Sequence, residues 1–137
     1  MNGSFRLKPW PKIDSVDPGI RPLEYKALVL LPQLEEVSAG GIRMIETVRD
    51  KEELAQTAGM LVAVSPMAFK FSDWPRDEDG DYLHPELIPK QGDIVRIKQY
   101  AGGEWKGRDG RNYRIIDDKD VYGIEDQSVV RVEDVAA

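Results

Sequence analysis

Few residues in this sequence could take part in catalysis, and none stands in a known catalytic arrangement. His84 is the single histidine, and neither an HxxxH pattern nor a carboxylate at ligand spacing surrounds it. Between Leu83 and Pro85, it is expected to face solvent or to be satisfied by its neighbours rather than to serve as a ligand or base. Because a catalytic triad needs such a base, the sequence predicts that the protein is not an enzyme.

Carboxylates cluster at two places, and neither cluster predicts a metal site or an acid-base pair. Three aspartates at alternate positions could attract a calcium ion: Asp77, Asp79 and Asp81. Gly80 is fourth in this run and no glutamate stands at the twelfth place, so the EF-hand pattern fails and a solvated hairpin tip is expected. Asp117 and Asp118 are adjacent, so in a strand they would point to opposite faces. No GxGxxG or P-loop sequence occurs, and no cofactor is therefore predicted.

Binding remains as the expected kind of function. Phe69, Phe71 and Trp74 could stack on single-stranded nucleic acid, as aromatic residues do in oligonucleotide-binding barrels. The net charge of -6 argues against binding that depends on phosphate contacts. We therefore interpret these aromatic residues as core or subunit-contact residues.

One stretch has the pattern of a peptide presented to a partner. Residues 37–45, here called the hook segment, contain a polar lead-in, the pair Gly40-Gly41 and the short run Ile42, Arg43, Met44 and Ile45. Glycines hold no fixed backbone shape, and the apolar side chains that follow them are suited to burial. The hook segment is thus the candidate binding site.

Composition and length predict one all-β domain. The chain has 137 residues, 41% of them hydrophobic, and its 12 glycines and 9 prolines are scattered as turns between short strands would require. No apolar run approaches the roughly 20 residues of a membrane span. The absence of a signal-peptide pattern and of cysteine is consistent with a cytoplasmic protein.

The elements that would position the hook segment are short strands. They are expected within residues 21–31, 59–66, 94–100, 104–106, 112–116 and 121–124. The apolar run from Leu28 to Leu31 does not alternate, which predicts burial on both faces or at a subunit contact. The hook segment lies within residues 33–58, a connection of about 26 residues that is either a functional loop or disordered when free. A helical turn is expected over residues 50–56.

Three further segments lie outside these strands. Residues 1–20 are expected to form an irregular surface arm anchored by Trp10, or else a poorly ordered terminus. Residues 65–90 are expected to leave the barrel as an excursion in which Met67, Phe69 and Phe71 line one face of a ribbon, followed by an acidic turn with an Asp-Gly hairpin signal. Residues 125–137 are a C-terminal extension that could add an edge strand.

The order of motifs resembles that of GroES-type co-chaperonins. The resemblance covers most of residues 21–124. It is carried by Arg21-Pro22-Leu23 with Leu28-Val29-Leu30, by Ser38-Ala39-Gly40-Gly41-Ile42, by Gly59 to Val64, and by a C-terminal block. That block comprises Gly92-Asp93-Ile94-Val95, Tyr100 to Lys106, Tyr113 to Ile116 and Asp120 to Ile124.

The resemblance implies a small GroES-like β-barrel, with residues 33–58 as the mobile loop and 65–90 as a roof-type insertion. It also implies a heptameric ring that caps a GroEL-type chaperonin, which binds the ATP, and encloses client proteins. Ile42, Arg43, Met44 and Ile45 would then contact the chaperonin, Gly40 and Gly41 would let the loop bend, and Phe69, Phe71 and Trp74 would be roof candidates. A cytoplasmic location, in a bacterium or in the host of a phage, would follow.

The sequence departs from this family in four ways. Tyr25-Lys26 replaces the usual Asp-Arg pair, so an ion pair or ring contact is altered. Arg43 places a charge in a tripeptide that is usually aliphatic, and in an extended chain it would point away from Ile42 and Met44. The roof-type insertion is longer than usual, and both termini extend further. Such divergence is similar to that of phage-encoded members.

Two alternatives stay open at this point. The chain could be a structural barrel or a single-stranded nucleic-acid-binding barrel in which residues 33–58 are simply disordered. It could also be a soluble β-barrel whose long loop has no role.

Overall fold

The computed structural model describes residues 4–37, 44–45, 56–70 and 73–126, and these residues form an all-β structure, as predicted. The described ranges contain β1 (Ser4–Leu7), β2 (Lys26–Leu30), β3 (Leu34–Val37), β4 (Met44–Ile45), β5 (Ala58–Val64), β6 (Ile94–Ile97), β7 (Gly103–Lys106), β8 (Asn112–Asp117) and β9 (Val121–Ile124). Short 3-10 turns lie at Ile13–Ser15, Pro85–Leu87 and Asp118–Asp120.

Six strands form one antiparallel sheet in the order β7-β8-β2-β5-β6-β9. The central strand β2 pairs Leu28 with Ala63 of β5 on one side and with Ile115 of β8 on the other. The bulge between Leu28 and Val29 shifts the register against β5, which increases the local twist that a small barrel needs. The predicted GroES-like β-barrel architecture is therefore confirmed.

The centre of the sheet is buried on both faces, as the apolar run in β2 predicted. On one face, Ala27 and Val29 belong to a cluster with Leu61, Phe69, Val95, Ile97 and Ile116. On the other face, Leu28 and Leu30 belong to a cluster with Met60, Val62, Ile94, Tyr113 and Trp10. Trp10 is only 7% exposed, and Ile13, Val16 and Ile20 pack against the same cluster. The N-terminal arm thus covers the second face, and the prediction that Trp10 anchors it is confirmed.

A second sheet of three strands has the order β3-β1-β4. The arm was expected to be irregular and the β2–β5 connection to be a functional loop or disordered when free, but β1 lies in the arm and β3 and β4 lie in the connection. The expected helical turn over residues 50–56 falls almost entirely outside the described residues, as does the extension beyond residue 126.

Two expectations about strands are wrong. Met67, Phe69 and Phe71 do not line a ribbon: residues 66–69 form a turn in which Met67 is 46% exposed and Phe69 is 3% exposed, and Phe71 lies outside the described residues. Pro66 cannot continue the ladder, and Phe69 adopts a positive φ of 59°. The strand expected over 94–100 ends at Ile97, because Lys98 to Ala101 form a turn in which Tyr100 has a φ of 64°.

Across the described ranges, the length and apolar character needed to cross a bilayer are found in no helix.

Candidate partner-binding loop

The loop that carries the hook segment leaves and re-enters the six-stranded sheet at neighbouring points. It follows β2 and precedes β5, and these strands pair Leu30 with Met60. Since both ends of the loop are fixed by one ladder, the loop begins and ends at the same end of the sheet. Loops held in this way by a rigid scaffold are common positions for binding residues.

The hook segment itself is described only at its two ends. Gly40, Gly41, Ile42 and Arg43 lie outside the described residues, so their predicted roles stay predictions. Met44 and Ile45 form β4, which pairs with β1 through Met44↔Arg6 and Ile45↔Phe5. The entry limb of the loop, β3, pairs with the opposite edge of β1.

Backbone hydrogen bonds attach the residues just before the entry limb to the barrel and to the N-terminal arm. Leu31 N–H donates to the Asn112 carbonyl at 3.0 Å, and Lys8 N–H donates to the Gln33 carbonyl at 2.9 Å. Ala58, the first residue of β5, is 2% exposed and packs against Leu7 and Leu34. The bases of both limbs and the end of β1 therefore meet at one small apolar contact.

Two arginines of the barrel bind the exit of the loop, which is formed by Gln56 and Thr57. Arg114 of β8 donates from Nη2 to Gln56 Oε1 at 2.9 Å and from Nη1 to the Ala101 carbonyl at 2.8 Å. Arg96 of β6 donates from Nη2 to Thr57 Oγ1 at 3.0 Å. The last two residues before β5 are thereby bonded to β8 and to β6.

Arg114 is the more deeply buried of the two arginines. The residue is 4% exposed, and its Nε has no hydrogen-bond partner among the described residues. Glu104 lies 3.4 Å from Nη2, but its side chain is 76% exposed and screened by solvent. A buried guanidinium is costly unless it is well bonded, so its two short bonds to the loop exit and to Ala101 carry most of the compensation.

Residues 19–125 match the family model described as the chaperonin 10 Kd subunit. The chain belongs to this family. The resemblance seen in the sequence is thereby confirmed, and the β2–β5 loop lies within the matched range.

Individual relatives agree with this assignment. The co-chaperonin GroES of Methylacidiphilum infernorum is 35% identical over 109 residues, which cover 80% of this chain and 96% of that protein. The co-chaperonin GroES of Caldicellulosiruptor saccharolyticus is 33% identical over 105 residues, covering 77% and 95%. The chloroplastic 20 kDa chaperonin of Arabidopsis thaliana is 30% identical over 105 residues, covering 77% of this chain and 36% of that protein. The chain thus spans about a third of the length of this last relative.

The arm before residue 19 lies outside the chaperonin 10 match, yet it is bonded to the matched barrel. Arg108 donates to both carboxylate oxygens of Asp17, from Nε at 3.0 Å and from Nη2 at 2.9 Å. The hydrogen bond from Arg108, assisted by its charge, lowers the pKa of the Asp17 carboxyl. Trp105 Nε1–H donates to the Pro18 carbonyl at 2.8 Å. The β7–β8 hairpin therefore binds the arm through side-chain hydrogen bonds.

Asp109 also binds the arm, because its carboxylate accepts a hydrogen bond from Asp17 N–H. Burial alone would raise the pKa of its carboxyl, but hydrogen bonds from Asp17 N–H, the Tyr113 hydroxyl and Arg111 N–H outweigh burial and leave that pKa below its usual value. Burial and the 2.6 Å bond to Asp109 raise the pKa of the Tyr113 hydroxyl. The carboxylate is thus ionised and the phenol protonated at neutral pH, the pairing that this hydrogen bond needs.

Residues 65–90, which the resemblance predicted to be a roof-type insertion, begin inside the core of the barrel. Phe69 packs in the first cluster, and its N–H donates to Oδ2 of the buried Asp118 at 2.9 Å. Phe69 is therefore a core residue that cannot stack on a base or line a surface roof. Trp74 instead meets Tyr82 edge to face at 5.9 Å between ring centroids, and Arg76 lies 4.1 Å above the Tyr82 ring.

The predicted acidic hairpin is present between Arg76 and Tyr82, which form a bridge. Gly80 has a φ of 88°, and its N–H donates to the Asp77 carbonyl at 3.1 Å. Asp77 Oδ1 accepts the N–H groups of Asp79 and Asp81 at 2.9 Å each. The Asp77 carboxylate thus organises this turn, in which Asp79 and Asp81 take part through their backbone N–H groups.

The remaining titratable residues named from the sequence are not brought together. His84 is more than half exposed and lies 3.4 Å from Glu86 Oε2. Asp117 and Asp118 face different surroundings, as predicted: Asp117 bonds to Lys26 Nζ at 2.7 Å near the surface, and Asp118 is 6% exposed. The altered Tyr25-Lys26 pair therefore still supplies an ion pair between β2 and β8.

The residues that hold the loop and the arm were not recognised from the sequence. Arg114 stands in the run from Tyr113 to Ile116, which is otherwise apolar, and a lone arginine in such a run signals a buried, bonded guanidinium. Asp17 and Arg108 are 91 residues apart and carry no local signal.

Proposed function

We propose that this protein is a co-chaperonin that caps a GroEL-type chaperonin ring and encloses client proteins while the chaperonin binds and uses ATP. The hook segment makes the contact: Ile42, Met44 and Ile45 enter an apolar groove, and Gly40 and Gly41 let the chain turn towards it. Arg43 remains at the rim and favours one chaperonin over another.

The observation that carries this proposal is the match of residues 19–125 to the chaperonin 10 Kd subunit family, with the hook segment in the β2–β5 loop. The names of the bacterial relatives, co-chaperonins GroES, support the same function. A loop that begins and ends at one end of the sheet can reach a partner without disturbing the barrel.

The expected binding free energies suit a cap that must also dissociate from the chaperonin. Each buried apolar side chain of the hook segment contributes roughly 1.5–3 kcal/mol at most. Ordering the loop costs conformational entropy, so a single loop binds weakly. Several loops on one ring raise the effective concentration of the remaining contacts, and the assembly binds tightly while each contact stays reversible.

A ring of identical subunits requires a surface on each side of the barrel. The sheet ends in β7 on one side and β9 on the other, and Tyr122 and Ile124 of β9 are 63% and 37% exposed. Within the described residues, β9 pairs only with β6, and an edge with exposed apolar side chains supports joining of neighbouring subunits. We propose that this edge takes part in a heptameric ring.

The test compares wild type with Ile42→Asp and Met44→Asp. Both variants should still assemble as rings but should lose the complex with a GroEL-type chaperonin, measured by sedimentation in the presence of nucleotide. Met67→Asp is the matched control, because Met67 is 46% exposed and lies in the roof-type insertion. Normal complex formation by both hook variants would disprove the assignment of the site.

We also propose that the part of the roof-type insertion around Trp74 forms an altered ceiling of the enclosed space. Trp74, Tyr82 and the acidic hairpin between them would face clients, whereas Phe69 supports the insertion from the core. Replacing residues 76–82 with a Gly-Ser linker should change the yield of some refolded clients and leave chaperonin binding intact. Unchanged yields for both small and large clients would disprove this role.

A further inference from the structure

The strand β1 lies between the two limbs of the β2–β5 loop. Ser4, Phe5, Arg6 and Leu7 pair with β3, and Phe5 and Arg6 also pair with β4 on the opposite edge. We propose that the N-terminal arm is an internal clamp that holds the limbs of the loop in one sheet before any partner binds. The consequence for chaperonin affinity rests on the proposed function, but the clamp itself does not.

Within the described residues, the two limbs pair with β1 and not with each other. The strand order is β3-β1-β4, so the ladders described for β3 and β4 in this sheet are those with β1. Two strand spacings separate the limbs by roughly 9.5 Å. If β1 is withdrawn, the limbs lose the ladders that define their relative position.

The arm is built to keep β1 in this place. Trp10, three residues after the strand, is buried against the barrel, and Lys8 N–H donates to the Gln33 carbonyl at the base of β3. Further along, Asp17 and Pro18 are bonded to Arg108 and Trp105. These two separate attachments keep β1 next to the loop.

The clamp lies outside the range of residues that matches the family. The family match begins at residue 19, so the strand and its attachments lie before it. A relative without this arm would have to order its loop limbs entirely at the moment of binding. Here part of that conformational entropy is already lost in the free protein, and binding should be tighter for the same contacts.

A proline in the middle of β1 tests the clamp directly. Arg6→Pro removes a ladder N–H and fixes φ in a strand that is paired on both edges, whereas Arg6→Ala removes the same side chain and keeps the backbone pairing. Hydrogen exchange of the free protein should be at least about tenfold faster at residues 34–37 and 44–45 in Arg6→Pro. Exchange in β2, β5 and β8 should stay the same, which shows that the barrel is folded.

Chaperonin affinity is then measured for the same variants. Arg6→Pro should bind at least about tenfold more weakly than Arg6→Ala, because it pays the ordering cost that the clamp removes. Tighter binding by Arg6→Pro would overturn the inference, since the clamp would then restrain the loop instead of preparing it. Equal weakening in both variants would also overturn it, because the side chain and not the pairing would matter.

Exchange and binding separate the two proposals. Unchanged exchange at residues 34–37 and 44–45 in Arg6→Pro would disprove the clamp, whatever the binding result. If the wild-type protein binds no chaperonin while Arg6→Pro still exchanges faster, the proposed function fails and the clamp stands as a property of the free protein.

Discussion

Replacing Arg114 with methionine should loosen the exit of the β2–β5 loop more than it destabilises the barrel. The variant removes two short hydrogen bonds, to Gln56 Oε1 at 2.9 Å and to the Ala101 carbonyl at 2.8 Å. Hydrogen bonds to a charged group contribute about 1.5–3 kcal/mol each, so the gross loss is roughly 3–6 kcal/mol. The contact with Glu104 adds little because that side chain is largely exposed.

An opposing contribution reduces this loss. Wild type buries a guanidinium whose Nε has no hydrogen-bond partner among the described residues, and methionine removes that desolvation cost, which amounts to several kcal/mol. Gln56 and Ala101 are only partly buried, so water can reach their freed oxygen atoms. We therefore expect the free energy of unfolding to fall by about 1–2 kcal/mol, less than for a broken buried ion pair.

Two measurements check this expectation. Urea unfolding at one fixed protein concentration gives the change in stability, because subunit assembly makes stability depend on concentration. Hydrogen exchange at residues 56–58 reports on the loop exit and should be faster in Arg114→Met. In a double-mutant cycle, Gln56→Ala and Arg114→Met should show a coupling energy of about 1–2 kcal/mol.

Either of two results would refute the reasoning. A loss of stability above roughly 4 kcal/mol would mean that the partner oxygens stay buried and unsatisfied. Unchanged exchange at residues 56–58 would mean that Arg114 does not hold the loop exit.

Two further predictions concern the β7–β8 region. Gly102→Ala should lower the free energy of unfolding by about 3 kcal/mol, because a Cβ at its φ of 69° would overlap a backbone carbonyl of β8. Gly103 has open space around it, so Gly103→Ala should change the free energy of unfolding by less than about 0.5 kcal/mol. Similar urea midpoints for the two variants would contradict this prediction. Arg108 lowers the pKa of the Asp17 carboxyl in the folded protein. The ion pair between Asp17 and Arg108 therefore stabilises the fold above the unfolded pKa of about 3.9. This contribution is lost as the pH falls through the lower folded pKa. The stability difference between wild type and Asp17→Asn should therefore shrink in acid, and urea midpoints that differ equally at pH 7 and pH 2 would argue against it.

The parts of the fold that the sequence predicted are those specified by local patterns. The unbroken apolar run of β2 indicated burial on both faces, and both faces are covered. The acidic run around Gly80 marked a turn, and Gly80 adopts the positive φ that glycine allows. Each of these signals lies within a few residues of the structure that it predicts.

The predictions that failed depended on partners far away in the sequence. The alternation of Met67, Phe69 and Phe71 is typical of a ribbon, yet Phe69 turns into the core, where Asp118 accepts its N–H from 49 residues away. No pattern within residues 66–71 contains that contact. Tertiary hydrogen bonding therefore overrode the local periodicity.

The candidate site shows the same division between local and distant information. The hook segment could be recognised from a run of nine residues, but its attachments join residues that are 58 apart at Arg114 and Gln56 and 39 apart at Arg96 and Thr57. β1 is the extreme case, because a four-residue strand has no periodicity that distinguishes it from an irregular arm. A short strand becomes recognisable only through its ladder partners, which here are the two limbs of the loop. The arm, which the sequence predicted to be irregular, thus contributes the strand that pairs with both limbs of the loop.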